Sequence, residues 1–357
     1  MNDASLPAVR IGAGADRPPE EREIARDHVR LLLSDLLGET HARFDHLAGI
    51  LRSGDLLVVN ESETLPASLP ASGEPGEFVV NLSTPYGPNL WVAEPRWDAA
   101  HPGPLPVGAG DLVRVGGVRC TIVSEFPGIP RLVFLRSEED LREVMRSQGQ
   151  PIRYGYAARA FPLSAYQTAF ARVPGSAEMP SAGRPFTGRL LDRLARGGVR
   201  VAPVVLHAGV SSLEVGDSGP GSVPVFPEPF EVPAATANTI GDTRASGGRV
   251  IAVGTTVVRA LESAVDSCGE IREARGFTRL YLNPGRPIRS VDGLLTGFHD
   301  ARSTHLALLA SFFGSERVER AYEVAARTGY LWHEFGDSHL ILRGSAGPAD
   351  ERDSPAS

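Results

Sequence analysis

Residues 247–263 constrain the fold of this chain more than any other stretch. Behind the double glycine Gly247-Gly248, Val250 to Val253 form a short apolar run of the kind that makes a buried strand. Gly254, Thr255 and Thr256 interrupt it. Val257, Ala260, Leu261, Ala264 and Val265 then recur at helical spacing, with Arg259 and Glu262 on the opposite face. A threonine at a helix start can cap it through its hydroxyl, and the unpaired N–H groups there attract anions. Strand, Gly-Thr-Thr turn and helix make the edge at which open α/β sheets hold their ligands. A capped crossover without a ligand satisfies the same spacing, so both readings stand.

The chain has 357 residues, 42% of them hydrophobic, which suffices for two packed cores. Charged residues make up 22% and form no long run, so disorder is expected only at the ends. Residues 1–23 lack an apolar core segment and read as a loose head or a first edge element, not a signal peptide. No apolar run approaches the roughly 20 residues of a membrane span. Cys120 and Cys268 stand alone, which speaks against a disulfide scaffold or a cysteine metal site. A soluble, cytoplasmic protein is expected. All 36 basic residues are arginine. Without lysine, Schiff-base chemistry on a side chain and a P-loop are excluded. The net charge of −7 requires any nucleic-acid partner to meet a local arginine patch.

Residues 25–37 leave helix and strand open, with Leu31-Leu32-Leu33 as a buried run. Phe44, Leu47, Ile50 and Leu51 share a helical face, and 56–59 form a strand leading into a loop at 60–67. Five short strand-like runs follow without a helical period, at 78–82, 90–93, 112–115, 118–123 and 132–135, with Gly116-Gly117 as a two-residue hairpin turn. They predict a small β-barrel, with 139–147 as a helix leading out of it. Beyond Tyr166 the pattern alternates. Thr187 caps a helix lined by Leu190, Leu191 and Leu194 and closed by Gly197-Gly198. Strands are expected at 199–206, 280–282 and 294–298, and helices at 234–240, 303–313 and 315–326. Residues 330–335 and 339–342 read as a hairpin around Gly336-Asp337. The expected class is α/β, a mostly parallel sheet with helices carrying an inserted small β-barrel. Residues 1–68 and 150–343 are assigned to a discontinuous α/β catalytic domain, 69–149 to the barrel and 344–357 to a disordered tail.

Nine histidines raise the question of a metal. His333 and His339 are six apart, as are His299 and His305, the wrong spacing for one helical face, so no metal site is expected. The spaced glycines of a dinucleotide fold and the Gly-x-Ser-x-Gly elbow are both missing. What remains is a set of polar groups at predicted strand ends: Tyr166-Gln167-Thr168, Pro174-Gly175-Ser176, Ser181-Ala182-Gly183 with Phe186-Thr187, His207-Ala208-Gly209, Gly254-Thr255-Thr256 and Phe298-His299. Each alone fits a turn, a cap or a core histidine. Together, at loop positions of one sheet, they make a plausible pocket.

In this order, with Arg259, Leu261-Glu262-Ser263, Thr296, Ser303-Thr304 and Phe335-Gly336-Asp337, these residues resemble the S-adenosylmethionine:tRNA ribosyltransferase-isomerase family. Gly54-Asp55-Leu56-Leu57-Val58-Val59-Asn60 with Leu65-Pro66-Ala67 is similar to that family's first motif, so the resemblance runs from about Arg30 to Leu342. It implies an α/β fold with an inserted barrel. It implies S-adenosylmethionine as co-substrate and ribosyl donor, and the 7-aminomethyl-7-deazaguanine base at the tRNA wobble position as acceptor. The implied products are epoxyqueuosine-tRNA, adenine and methionine, and the chemistry requires no metal. A monomer without a membrane partner is expected.

The sulfonium acidifies the 5′ carbon of such a donor, so a positioned base can remove a proton there. Adenine leaves more easily when protonated, methionine leaves as a neutral thioether, and the acceptor amine must lose a proton before it attacks. His299, Glu228 and Asp337 are the candidates for proton transfer. His299 ranks first because its ordinary pKa lies nearest neutrality, while Asp337 also reads as a turn residue. The resemblance assigns substrate binding to Tyr166, Gln167, Thr168, Gly183, Phe186, Thr187, His207, Gly254, Thr255, Thr256, Arg259, Glu262, Phe298 and Ser303. Thr255 and Thr256 would face the ribose or the methionine carboxylate. Arg259 would hold a carboxylate or phosphate, unless it pairs with Glu262 one turn away.

The chain departs from the family pattern in its pocket motifs. Glu63 and Ser68 stand where arginines are usual, and Arg184-Pro185-Phe186-Thr187 replaces Leu-His-Phe-Thr. Ser211-Ser212-Leu213 replaces Gly-Thr-Phe, and Val225-Phe226-Pro227-Glu228 keeps only the glutamate of Met-His-Ser-Glu. Gly297-Phe298-His299-Asp300-Ala301 replaces Asn-Phe-His-Leu-Pro. Two alternatives therefore stand beside the family reaction: an S-adenosylmethionine-using enzyme with a different, small acceptor, and a non-catalytic binding protein of the same fold.

Overall fold

The computed structural model describes residues 7–98, 101, 105–210, 225–301 and 303–344. Residues 1–6 of the head, residues 211–224 with Ser211-Ser212-Leu213, and residues 345–357 of the tail lie outside them. In chain order the elements are β1 (Arg30–Ser34), β2 (Glu39–Arg43), α1 (Leu47–Ile50), β3 (Leu56–Asn60), β4 (Ser62–Thr64), β5 (Ser68–Gly73), β6 (Gly76–Pro85), β7 (Leu90–Arg96), β8 (Leu112–Val115), β9 (Val118–Phe126), β10 (Ile129–Ser137) and α2 (Leu141–Gln148). There follow β11 (Val173–Ser176), α3 (Gly188–Arg196), β12 (Arg200–Leu206), β13 (Glu228–Val232), α4 (Ala234–Ala245), β14 (Val250–Val253), α5 (Thr255–Ser263), β15 (Ala274–Thr278), β16 (Gly293–Gly297), α6 (Thr304–Phe313), α7 (Ser315–Arg327) and β17 (Ser338–Leu342).

A nine-stranded sheet runs in the order β15-β13-β12-β3-β14-β16-β17-β1-β2. Its centre, β12-β3-β14-β16, is parallel, while β13 and β17 join it antiparallel. The sheet is thus mixed around a parallel centre. Strand β3 explains the unbroken apolar runs. Leu56 and Val58 enter one core with Val250, Ala252 and Leu294, whereas Leu57 and Val59 enter a second with Ile251, Val253 and Leu295. Residues of α4 to α7 fill the first core, and residues of α1 and α3 the second. Both faces are covered, so the central strands need no polar alternation.

The second architectural unit is a closed antiparallel barrel, β10-β7-β6-β5-β8-β9. On β9 the buried Val118, Cys120 and Ile122 point inward and alternate with Arg119, Thr121 and Val123. This is the two-residue period of a strand with one wet face. Five strands were expected, and the sixth is β5. Its sequence Ser-Leu-Pro-Ala-Ser-Gly has no apolar run, but closure against β6 and β8 supplies its partners.

Three other expectations change. Residues 330–335 do not form the arm of a hairpin; Trp332 makes a single bridge to Gly14, and β17 lies between β1 and β16. Asp337 accepts the N–H groups of Arg30 and Leu331, both at 2.8 Å, and so pins the turn to the start of β1. No strand forms at 280–282. The strand here is β15, an edge whose Arg275 and Phe277 are exposed, which removes the apolar signal. The open reading at 25–37 resolves as a short 3-10 turn, Arg26–His28, followed by β1. Among the described residues no helix is long and apolar enough to cross a membrane.

Candidate active site

The carboxyl ends of β12, β3, β14 and β16 open on one edge of the sheet, and the antiparallel β13 and β17 begin at that edge. Asn60, last residue of β3, ties the edge together. Its Nδ2 donates to the Leu206 carbonyl at 2.8 Å and to Thr256 Oγ1 at 3.3 Å. Its Oδ1 accepts from Ser62 and Leu206 N–H, both at 3.1 Å. One buried amide thereby aligns the ends of two strands with the first turn of α5.

His207 follows β12. Its Nδ1 lies 2.7 Å from Ser62 Oγ, which is itself 2.6 Å from Ser176 Oγ, and Ser176 Oγ accepts from Ala208 N–H at 3.0 Å. Burial depresses the pKa of the ring. A Cβ on Gly175 would come within 2.4 Å of the imidazole, so glycine is required there for the histidine to fit. The parallel pair β4 and β11 carries these serines, and the barrel follows β4.

Gly254 caps α5 with φ at +102°, a backbone state that strains any side chain. The expected hydroxyl cap is therefore corrected: Gly254 holds the cap position, Thr255 is the first helical residue, and no side chain caps the helix. The leading N–H groups of α5 lack intrahelical acceptors and face the carboxyl edge. Four positions into the helix, Arg259 pairs with Glu228 at the head of β13 and donates from Nε to the Leu280 carbonyl at 3.1 Å. Glu228 also accepts Gly209 N–H at 2.9 Å. Arg259 Nη2 is buried without a hydrogen-bond partner among the described residues. The possible pairing of Arg259 with Glu262 does not occur. Glu262 instead accepts the N–H groups of Arg289 and Ser290, both at 2.7 Å.

Beyond β16, the Nε2 of His299 lies 2.8 Å from Thr296 Oγ1, and its ring stacks on His305 with centroids 4.4 Å apart. Burial, then the neighbouring His305, push His299 well below its usual pKa. Burial and the nearby Arg259 bring His305 down to about 4. Both rings are neutral at pH 7 and able to accept a proton. The ranking of His299 by its ordinary pKa thus gives way to a weaker, neutral base. A cleft lined by Ser181, Arg184, Gly297, His333, Glu334 and Asp337 continues this edge.

The other singled-out residues hold the fold around this edge. Gln167 forms a two-way clamp with the backbone of Thr64, at 3.1 and 2.8 Å, and the Tyr166 carbonyl accepts Thr64 Oγ1 at 2.9 Å. Thr168 Oγ1 accepts Phe170 N–H at 3.2 Å, and Gly183 packs on Thr168 and Phe170. Phe186 is a core ring against Phe44 and Phe170. Thr187 caps α3 and Ser303 caps α6. Phe298 stacks on Trp332 at 4.7 Å. Both carboxylate oxygens of Asp337 are engaged by backbone, and its pKa is raised chiefly by burial. Tertiary structure thus gathers His207, Glu228, Gly254, Thr255, Thr256, Arg259 and His299, and leaves Phe186, Thr187, Glu262, Ser303 and Asp337 with partners inside the fold.

Several residues of the edge carried no assigned role. Asn60 and Ser176 belong to motifs quoted above, Ser62 and Glu334 to none, and His305 and His333 enter only through the metal question. Their position beside strand ends was the available signal. Among the described residues no group of three or more His, Cys, Asp or Glu side chains could hold a metal.

A helix N-terminus, an arginine–glutamate pair and neutral histidines at the carboxyl edge of parallel strands define an α/β protein with its candidate site at that edge. Residues 5–341 match the family described as queuosine biosynthesis protein. S-adenosylmethionine:tRNA ribosyltransferase-isomerase from Thermus thermophilus is 37% identical over 337 residues, covering 91% of this chain and 97% of the relative. The enzyme of that name from Rubrobacter xylanophilus is 38% identical over 345 residues, covering 96% and 97%. The solved S-adenosylmethionine tRNA ribosyltransferase from Thermotoga maritima is 26% identical, with 95% of this chain and 99% of that chain covered and a TM-score of 0.49. The chain belongs to the S-adenosylmethionine:tRNA ribosyltransferase-isomerase family of queuosine biosynthesis.

Proposed function

We propose that this protein transfers the ribosyl moiety of S-adenosylmethionine to the 7-aminomethyl-7-deazaguanine base of tRNA and isomerises it to epoxyqueuosine, releasing adenine and methionine. The observation that carries the reading is the convergence of α5, Arg259 and His299 on one strand edge, in a chain that matches the family from residue 5 to 341. The start of α5 offers N–H donors to an anion, and the buried Nη2 of Arg259, without a hydrogen-bond partner among the described residues, offers a positive donor near it. Together they suit the methionine carboxylate of the donor. His299, neutral at pH 7, is the base for the 5′ proton. We take the protein to act in the cytoplasm as a monomer. Incubation with S-adenosylmethionine and tRNA bearing the aminomethyl-deazaguanine base releases free adenine on this reading; no adenine above the enzyme-free rate overturns it.

One observation favours a smaller acceptor. Arg184, at the position of the changed Leu-His-Phe-Thr motif, is 2% exposed and bonded to Glu20 at 2.9 Å and to the Ala165 carbonyl at 2.9 Å, so it offers little charge to a phosphate. A tRNA affinity that falls steeply with salt counts against this second reading.

A further inference from the structure

We propose that Glu334 is the proton carrier of the transfer, giving a proton to the departing purine and taking one back from the acceptor amine. This assignment rests on the ribosyl-transfer reading above and adds a residue that the reading does not use.

Glu334 lies in the turn between α7 and β17, next to His333, whose φ of +71° places it in the left-handed region. Two contacts fix that turn. Asp337 ties it to Arg30 and Leu331, and His333 N–H donates to the Phe298 carbonyl at 3.4 Å. The His333 ring stacks on Tyr156 with centroids 4.1 Å apart and 7° between planes. Glu334 is thereby held one residue from a direct contact with the Phe298-His299 segment, on the wall of the cleft that also includes Arg184 and Gly297.

The groups facing it come from outside its own turn. Tyr156 lies close enough to favour its charged form, Glu178 close enough to repel its charge, and Arg184 attracts it more weakly. Glu178 in turn receives the Tyr154 hydroxyl, and the two tyrosine rings stack at 6.2 Å. Tyr166 also faces Glu334 closely enough to feel its charge. Burial, then the neighbouring Glu178, push the Glu334 carboxyl up to about 8. Near neutral pH it holds a proton in a place that stays close to the reacting edge.

The reaction needs such a carrier. As the C1′–N9 bond of the donor breaks, its electron pair moves onto the purine, and a proton must reach a purine nitrogen. As the amine lone pair forms the new N–C1′ bond, that nitrogen must lose a proton. The two demands cancel, with one proton passing from amine to purine. A carboxyl that donates its proton to the purine becomes a carboxylate, and that carboxylate accepts the proton of the newly bonded nitrogen. Glu334 ends the cycle as it began, and no further reactant is required.

Adenine release from S-adenosylmethionine, with tRNA carrying the aminomethyl-deazaguanine base, is measured against pH for the wild type, E334Q, E178Q and Y156F. The wild-type rate falls on the alkaline side as Glu334 loses its proton. E334Q slows release by about 100-fold or more and abolishes that alkaline fall, while S-adenosylmethionine binding by equilibrium dialysis is unchanged. E178Q removes the repulsion and moves the fall to lower pH; Y156F removes a hydroxyl that favours the carboxylate and moves it to higher pH. These two shifts carry the test if E334Q does not fold. Retention of the alkaline fall by E334Q, or a midpoint that E178Q and Y156F leave in place, overturns the assignment. A wild type that releases no adenine overturns the ribosyl-transfer reading itself, so the two failures are distinct.

Discussion

The imidazoles of His299 and His305 lie parallel, 5° between planes and 4.4 Å between centroids, at the mouth of the carboxyl edge. One belongs to the loop after β16 and the other to the first turn of α6, which Ser303 caps. A second positive charge cannot be added cheaply to this stack, and the proximity of His305 lowers the affinity of His299 for a proton. His305→Phe keeps a flat ring in the stack and removes the charge. The titration midpoint of His299, read from its imidazole NMR signals, moves up in that variant. An unchanged midpoint would leave the depression to burial, with His333 and His339.

Arg259 and Glu228 join α5 to β13 with side chains 17% and 6% exposed. Removing one partner strands the other charge in a dry site. Arg259→Ala therefore lowers stability by about 3–5 kcal/mol, read as a lower urea midpoint. The double variant R259M/E228Q recovers much of that loss, because neither charge is then left alone. Recovery of stability without recovery of S-adenosylmethionine binding would separate the structural part of the pair from its ligand role.

Thr187 Oγ1 accepts Leu190 N–H at 3.2 Å and donates to Asp27 Oδ2 at 2.8 Å. Thr187→Ala uncovers the start of α3 and costs about 1–2 kcal/mol. The KM for S-adenosylmethionine stays at its wild-type value. A raised KM with full stability would instead put this threonine in contact with the donor.

His339 is fully buried, with Nε2 2.8 Å from Ser34 Oγ, and burial pushes its pKa from 6.5 to about 3. Between those values the unfolded chain binds a proton that the folded chain refuses. The stability conferred by the neutral ring is therefore complete above pH 6.5 and falls as the pH drops toward 3, by about 1.4 kcal/mol per pH unit. Denaturation at pH 7, 6 and 5 measures the slope, which flattens in His339→Gln. An equal slope in the variant would assign the acid sensitivity to other groups, His305 first.

Local order was legible wherever a residue's neighbours in sequence are also its neighbours in space. The strand-to-helix step at 250–263, the Thr187 cap, the Gly116-Gly117 hairpin and the alternation of β9 all follow from backbone geometry and a solvent boundary. Elements without such a local signal were missed. Strand β5 draws its partners from barrel closure, β15 has exposed residues on an edge, and the 330–335 turn is set by Asp337 reaching the start of β1.

The site divides in the same way. Local chain pattern suffices to place Gly254, Thr255 and Thr256 between a strand and a helix, and His207 and His299 after strands. Which charge meets which depends on the packing of distant segments. Arg259 passes over Glu262, one turn away, for Glu228, 31 residues distant. His299 meets His305 rather than standing alone, and Glu334 is raised by burial and then by Glu178 from another segment. Helix and strand periodicity is a property of the local chain, whereas ion pairing and burial depend on which segments the sheet order brings side by side.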